Sequence, residues 1–87
     1  MTLEETVPLM LSLNWKDRFI AEYWQTKIRL KRLYDYAKGA ERENVLVDRY
    51  SFIVQGNAME AYLGVLKNRA RVAGIKLGDE NKREEKA

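Results

Sequence analysis

Aromatic rings and cationic side chains alternate in the segment that begins at Trp15. Lys16 and Arg18 separate Trp15 from Phe19, and Lys27 follows two helical turns after Phe19. An aromatic ring can stack on a nucleobase while a lysine or arginine neutralises a phosphate, so this mixture suits a nucleotide ligand. The alternative is that the rings belong to a hydrophobic core while the cations face solvent, and composition alone favours that alternative.

Polar side chains also interrupt the most apolar part of the chain, between Phe52 and Ala73. Gln55 and Asn57 have apolar neighbours, and Arg69 lies near the end of the apolar series. A buried glutamine or arginine must find hydrogen-bond partners. Arg69 could pair with an acid of a neighbouring subunit, or it could hold a ligand phosphate in a bidentate contact. The pairing role is favoured when Arg69 is considered alone.

Catalytic and metal-binding chemistry finds little support in the sequence. The chain contains no cysteine and no histidine, which excludes thiolate and imidazole zinc sites and histidine-based acid–base catalysis. Ser12 and Ser51 therefore have no histidine base, and Gly56 and Gly64 lie inside a predicted helix instead of a phosphate-binding loop. We expect a protein that is not an enzyme and carries no cofactor.

Length and charge set further limits. The chain has 87 residues and a formal net charge of +3, enough for one small domain whose core is commonly supplemented by oligomerisation. The cations between Lys27 and Arg32 have no acid among them, which suggests an anionic partner, although a solvated helix face is the simpler interpretation. No apolar run approaches the roughly 18–20 residues of a membrane span. We expect a cytoplasmic protein.

The elements that position these residues are predicted to be helical. Thr2 and Glu5 form a capping-box pattern that starts a short helix within residues 1–13. The first long helix is predicted over Asn14–Lys38, with Asn14 as its N-cap and Gly39 as its C-cap. Its inward series steps by three and four residues and comprises Phe19, Tyr23, Thr26, Leu30, Leu33 and Ala37.

A short polar connection, residues 39–44, predicts that the second long helix folds back along the first. That helix begins after Asn44 or Asp48 and is closed by Gly74. The sequence thus predicts an all-α protein: an antiparallel helical hairpin with a short N-terminal helix, one domain over residues 1–77. Residues 78–87 are charged and are predicted to be a disordered tail.

The second helix is apolar over much of its circumference. One seam contains Phe52, Gln55, Met59, Tyr62, Leu66, Arg69 and Ala73, and an adjoining strip contains Val54, Ala58, Ala61, Val65 and Val72. One partner helix cannot bury so wide an apolar surface, so we expect several partners, including other copies of the chain.

The spacing Gln55, Met59, Tyr62, Leu66, Arg69 resembles the pattern Q-x3-M-x2-Y-x3-L-x2-R in the second helix of a family of small phage hairpin proteins. The segment 17–33, DRFIAEYWQTKIRLKRL, is similar to that family's first helix. The family includes hypothetical proteins of crAss-like phages and anti-CBASS proteins, which sequester cyclic di- and trinucleotide signals of bacterial immunity. It is similar in organisation to Thoeris anti-defence sponges, which capture cyclic ADP-ribose isomers.

The resemblance implies a homohexamer of hairpins in the cytoplasm of an infected bacterium, with ligand pockets between protomers and no cleavage of the ligand. On this basis Trp15, Arg18, Phe19 and Lys27 are candidates for one pocket. Asn57 and Arg69 are candidates for a second pocket or for its supporting shell. Two alternatives stay open: an oligomeric phage structural or interaction protein with no small ligand, and a nonspecific nucleic-acid binder that uses the stretch from Lys27 to Arg32.

Overall fold

Three helices account for the regular structure in the computed structural model, which describes residues 1–42 and 48–79. They are α1 (Leu3–Met10), α2 (Trp15–Arg42) and α3 (Arg49–Ala73). Within those two ranges the chain has no strand, which confirms the all-α prediction. Helix α2 continues through Gly39, so the predicted C-cap at that residue is wrong. Gly39 does not take the left-handed conformation that ends a helix, and the helix-favouring residues after it prolong α2.

The other helix ends follow the local signals in the sequence. At α1, the Thr2 hydroxyl accepts a hydrogen bond from the backbone N–H of Glu5, and the Glu5 carboxylate accepts one from the N–H of Thr2. The Asn14 side chain accepts a bond from the Lys16 N–H at the start of α2. Asp48 caps α3, and Gly74 closes it with a φ of 71°. Asn44, the other proposed cap, lies outside the described residues.

One hydrophobic cluster lies between α2 and α3. Its buried members are Phe19, Tyr23, Trp24 and Leu30 from α2, Leu63, Leu66 and Ala70 from α3, and Ile75 and Leu77 beyond α3. Helix α1 packs on α2 separately. There the buried Thr6 hydroxyl accepts a hydrogen bond from the Gln25 amide at 3.1 Å.

Contacts between α2 and α3 occur in reverse chain order. The late part of α2 meets the early part of α3, and the start of α2 meets the end of α3. The pairs are Tyr36 with Phe52, Tyr34 with Glu60, and Phe19 with Arg69. The connection between the helices lies outside the described residues.

The face of α3 that packs on α2 shares Phe52, Met59 and Leu66 with the predicted seam but is centred about 60° away from it around the helix. The buried positions are Gly56, Leu63, Leu66 and Ala70, with Phe52 and Met59 half-buried beside them. Gln55 and Arg69 are exposed, and so is Tyr62. The seam was misplaced because α3 is apolar on more than one side, so periodicity alone does not identify the face that meets α2. Gln55 and Arg69 therefore flank the core instead of interrupting it.

The adjoining strip of α3 points away from α2. Val54, Val65 and Val72 are exposed, as are Ala58 and Ala61 between them. Successive α-helical residues are about 100° apart, which places this strip opposite the buried stripe. Helix α3 thus has two apolar faces, and α2 covers one of them.

The segment after α3, residues 75–79, lies back against α2. Ile75, Leu77 and Asp79 are buried, while Lys76 and Gly78 between them are exposed. This alternation is the period of an extended chain with one side against a protein surface. We call residues 75–79 the C-terminal strap.

Two buried side chains of α2 fix the strap. The Trp24 indole Nε1–H donates to the Leu77 carbonyl oxygen at 2.6 Å, and the Tyr23 hydroxyl donates to Asp79 Oδ2 at 2.6 Å. Lys27 Nζ donates to the same carboxylate oxygen in a salt bridge. Gly78 and Asp79 are the described part of the segment that was predicted to be a disordered tail, and α2 presents donors for the Asp79 carboxylate. Residues 80–87 lie outside the described residues.

The contacts of Asp79 change its ionisation. Burial raises the pKa of its carboxyl group, but the hydrogen bonds from Lys27 and Tyr23 and the charges of Lys27 and Lys67 lower the pKa more. The net pKa lies below the ordinary value of 3.8. A carboxyl group whose pKa is lowered by folding stabilises the fold above its unfolded pKa, and this contribution is lost as the pH falls through the folded pKa.

Asp79→Asn should therefore lower the free energy of unfolding at pH 7 by about 1.5–3 kcal/mol, the size expected for charged hydrogen bonds. Chemical denaturation of both proteins from pH 7 to pH 2 checks this. The difference between wild type and variant should be constant at neutral pH, should shrink as the pH falls past 3.8, and should disappear only below the folded pKa, where the carboxyl group is protonated in the native protein too. A difference that persists unchanged at pH 2 would contradict the assignment.

Two glycines of α3 offer a matched test of the helix packing. A Cβ added to Gly64 would meet nothing within 4 Å, whereas one added to Gly56 would lie 3.0 Å from Tyr34 Cε1. Replacing glycine by alanine inside a helix is worth about 1 kcal/mol. Gly64→Ala should therefore raise the melting temperature by about 4–8 °C, and Gly56→Ala should raise it less because Tyr34 must move. Equal stabilisation by the two variants, in thermal melts at one protein concentration, would contradict this packing.

Candidate aromatic–arginine and lysine sites

Four side chains form a partly exposed cluster where the start of α2 meets the end of α3. We call Trp15, Phe19, Tyr62 and Arg69 the aromatic–arginine cluster. The Trp15 and Phe19 rings meet edge to face, with centroids 6.5 Å apart and planes 87° apart. The Arg69 guanidinium carbon lies 5.0 Å from the centroid of the Phe19 ring. Trp15 is 50% exposed whereas Phe19 is 8% exposed, so Trp15 offers ring surface to a ligand and Phe19 supports it.

Arg69 approaches the Phe19 ring without forming an ion pair with an acid in the described part of the chain. It makes no hydrogen bond or ion pair there. A guanidinium over an aromatic face keeps its N–H donors free at the edge, where they can take a bidentate phosphate contact. Within this protomer the arrangement leaves the guanidinium available to a ligand, and the pairing with an acid of a neighbouring subunit that the sequence suggested stays a prediction.

Tyr62 closes the other side of the cluster. Its hydroxyl donates to the Glu22 carboxylate. This hydrogen bond, together with burial and the Glu22 charge, raises the pKa of Tyr62, and the nearby Arg69 charge opposes the shift. The phenol is therefore protonated at neutral pH, and Tyr62 as a whole remains 42% exposed.

Arg18 lies at the same end of the molecule but is engaged in the turn between α1 and α2. Its Nη1 donates to the Ser12 carbonyl oxygen at 2.7 Å, and the Ser12 hydroxyl donates to Asp17 at 2.7 Å. These contacts fix the entry into α2 and hence the position of Trp15. Arg18 positions the cluster, and its exposed guanidinium has further donors.

Lys27 belongs to a different surface from Trp15 and Phe19. It lines a groove of about 460 Å³ between α2 and α3, together with Lys31, Tyr34, Glu60 and Lys67. Its ammonium nitrogen lies 5.0 Å from the Trp24 ring centroid and is bonded to Asp79. The Tyr34 hydroxyl donates to Glu60 at 2.8 Å, which raises the pKa of Tyr34.

A second cleft, of about 520 Å³, adjoins this groove. It is lined by Lys67, Asn68, Ala70, Arg71, Gly74, Ile75, Lys76 and Asp79. Lys67 lines both the groove and the second cleft. Asp79 lines the second cleft and forms a salt bridge with Lys27, which lines the groove. We call the groove and the second cleft together the lysine cleft. Cations outnumber acids along it, so it attracts anions.

The six residues proposed from the sequence are thus distributed over three places. Trp15, Phe19 and Arg69 come together, with Arg18 behind them. Lys27 lies in the lysine cleft. Asn57 is exposed on the outward side of α3 and does not line either part of the lysine cleft. Within one protomer Lys27 therefore lies apart from Trp15 and Phe19, and Asn57 lies apart from Arg69. The predicted pockets between protomers stay a prediction.

Sequence reasoning missed Tyr62, Lys67 and Asp79 as site residues. Tyr62 was assigned to the core because of its place in the apparent seam. Asp79 was assigned to a tail, although the apolar residues at 75 and 77 alternate with exposed ones and indicate an extended segment with one buried side. For Lys67 we find no sequence feature that distinguishes it from the other surface lysines.

Two further observations concern the described residues alone. They contain no group of three or more acidic, histidine or cysteine side chains that could hold a metal ion. None of their helices is both long enough and apolar enough to cross a membrane.

Comparison with known proteins gives one family match. The Sequestin family model matches residues 13–72, which include all of α2 and nearly all of α3. No curated protein and no solved structure matches the chain. Because the match covers more than half of the sequence, the chain belongs to the Sequestin family.

Proposed function

We propose that this protein sequesters a small anionic nucleotide and holds it without cleaving it. The ligands that we propose are cyclic di- and trinucleotides or cyclic ADP-ribose isomers, and the biological role is evasion of CBASS or Thoeris immunity by a phage. The family name suggests sequestration of a partner. The observation that carries the proposal is the aromatic–arginine cluster, which presents an exposed ring and a free guanidinium side by side.

Each part of the cluster matches a part of such a ligand. The Trp15 ring can stack on a base, which is worth about 1–3 kcal/mol per base. Arg69 can contact a phosphate through two parallel N–H donors. Since the sequence has no histidine or cysteine, the common histidine bases and thiol nucleophiles are missing, and binding without chemistry is the simplest outcome.

We further propose that the protein acts as a homo-oligomer, with a hexamer of hairpins as the expected form. The strip with Val54, Val65 and Val72 leaves a second apolar face of α3 uncovered in the protomer. A small protein with such a face gains stability when copies cover it. Leu11, Leu13 and Trp15 are also exposed near the start of α2, so a neighbouring copy could complete the pocket around the cluster.

The same apolar strip favours a second candidate, an assembly protein of the phage without a small ligand. A third candidate is nonspecific nucleic-acid binding through the stretch from Lys27 to Arg32. The salt dependence of binding distinguishes this candidate from the other two. Binding to a polynucleotide weakens steeply as salt rises because counterions are released, whereas an assembly protein has no such affinity to lose.

Calorimetric titration of the full chain with a panel of cyclic di- and trinucleotides and cyclic ADP-ribose isomers tests the leading proposal. At least one ligand should bind saturably and be recovered intact. Trp15→Ala and Arg69→Ala should each weaken binding by about tenfold or more, because each removes a stacking or phosphate contact.

Arg32→Ala is the matched control, since it removes an exposed cation that lies outside the cluster. Its affinity should equal that of wild type, and all variants should keep the wild-type oligomer. Failure of the folded protein to bind any member of the panel would refute the proposal. If Arg69→Ala only dissociates the oligomer, Arg69 serves assembly.

Val65→Glu should break the oligomer, because it places a charge in the middle of the apolar strip where a neighbouring copy would bury it. Light scattering coupled to size-exclusion chromatography should show a shift to smaller species. Gln55→Glu places the same charge on another side of α3 and should leave the mass unchanged. An unchanged mass for Val65→Glu would rule out this strip as the interface.

A further inference from the structure

We propose that Tyr23, Lys27 and Lys67 form a phosphate-binding site that the chain's own Asp79 carboxylate occupies, and that a phosphate group displaces this carboxylate. The site lies in the lysine cleft and is separate from the aromatic–arginine cluster. Its ligand class is a phosphate group, either as inorganic phosphate or on a nucleotide. This inference does not depend on the proposed function.

The donors at this site converge on one oxygen. Asp79 Oδ2 accepts a hydrogen bond from the wholly buried Tyr23 hydroxyl at 2.6 Å and a second one from the Lys27 ammonium group. Two donors that point to one oxygen from a fixed helix form a preorganised anion site. A phosphate oxygen makes the same two bonds as the carboxylate oxygen.

The charge around the site exceeds what a single carboxylate can neutralise. Lys27 contacts Asp79 directly, and the charge of Lys67 also acts on it. Arg71 and Lys76 line the same cleft. A phosphate group carries up to about two negative charges at neutral pH, so it gains more than a carboxylate does from four surrounding cations.

The strap lets Asp79 leave without unfolding the protein. Leu77 is 5% exposed and its carbonyl oxygen is held by Trp24, so the strap is anchored just before Gly78. Gly78 has a φ of 100°, in the region that favours glycine. Rotation about Gly78 can swing Asp79 out of the site while Ile75 and Leu77 stay buried.

The tethered carboxylate also limits affinity. Because Asp79 is covalently attached, its local concentration at the site is high, and it competes with free anions. The wild-type protein should therefore bind phosphate weakly, and removal of the Asp79 charge should strengthen binding. A carboxylate that serves the fold alone would give no such gain.

The test is titration of the full chain with inorganic phosphate at constant ionic strength, followed by calorimetry and by NMR of backbone amides. Asp79→Asn should bind phosphate about tenfold more tightly than wild type, the size expected for loss of one charged competitor. Adding Lys27→Ala to Asp79→Asn should abolish the gain. Asp35→Asn, which removes an exposed carboxylate paired with Lys31, should bind as wild type does.

Equal phosphate affinities of Asp79→Asn and wild type would overturn the proposal, and so would an equal gain in Asp35→Asn. If Asp79→Asn does not fold, titration of the wild-type protein with inorganic phosphate tests the proposal instead. The Gly78 and Asp79 amide signals should then shift saturably with phosphate while the Trp24 indole signal stays in place. Absence of a saturable shift at Gly78 and Asp79 would equally overturn it.

Discussion

The packing of one face of α3 against α2 fixes the rotation of α3, and both candidate sites depend on that rotation. Leu66 is wholly buried in the shared core, and Leu63 and Ala70 lie on the same stripe. With this stripe inward, Arg69 falls at one edge of the interface and Lys67 at the other, about 160° apart around the helix. A rotation by one residue would bury Tyr62 and Arg69 and remove the guanidinium from solvent.

The strap shows how a small core and an anion site share the same side chains. Burying Tyr23 and Trp24 requires partners for a hydroxyl and an indole N–H, and the strap supplies both. No buried side-chain nitrogen or oxygen among the described residues lacks a partner. A ligand phosphate at this position replaces the carboxylate as the acceptor for Tyr23, so that the polar group stays satisfied when Asp79 leaves.

The features that could be predicted from the sequence are those set by neighbouring residues. The caps at Thr2, Asp48 and Gly74 depend on local backbone geometry. The inward series of α2 contains Phe19, Tyr23 and Leu30, which are buried. The face of α3 could not be predicted, because its apolar residues occupy two sides. Gly56 identifies the inner side only once Tyr34 is known to lie against it. The role of Asp79 depends on donors 56 and 52 residues earlier in the chain.

The separation of the two sites constrains how a single ligand could use both. The aromatic–arginine cluster and the lysine cleft lie on opposite edges of the α2–α3 interface, with the buried stripe between them. Under the proposed function, a ligand held by Trp15 and Arg69 of one protomer lies on the other edge of the interface from Lys27 of the same protomer. A second copy that presents its lysine cleft would bring rings and lysines to the same ligand. The proposed oligomer and the proposed ligand binding therefore support each other, because assembly would combine two sites that a single protomer keeps apart.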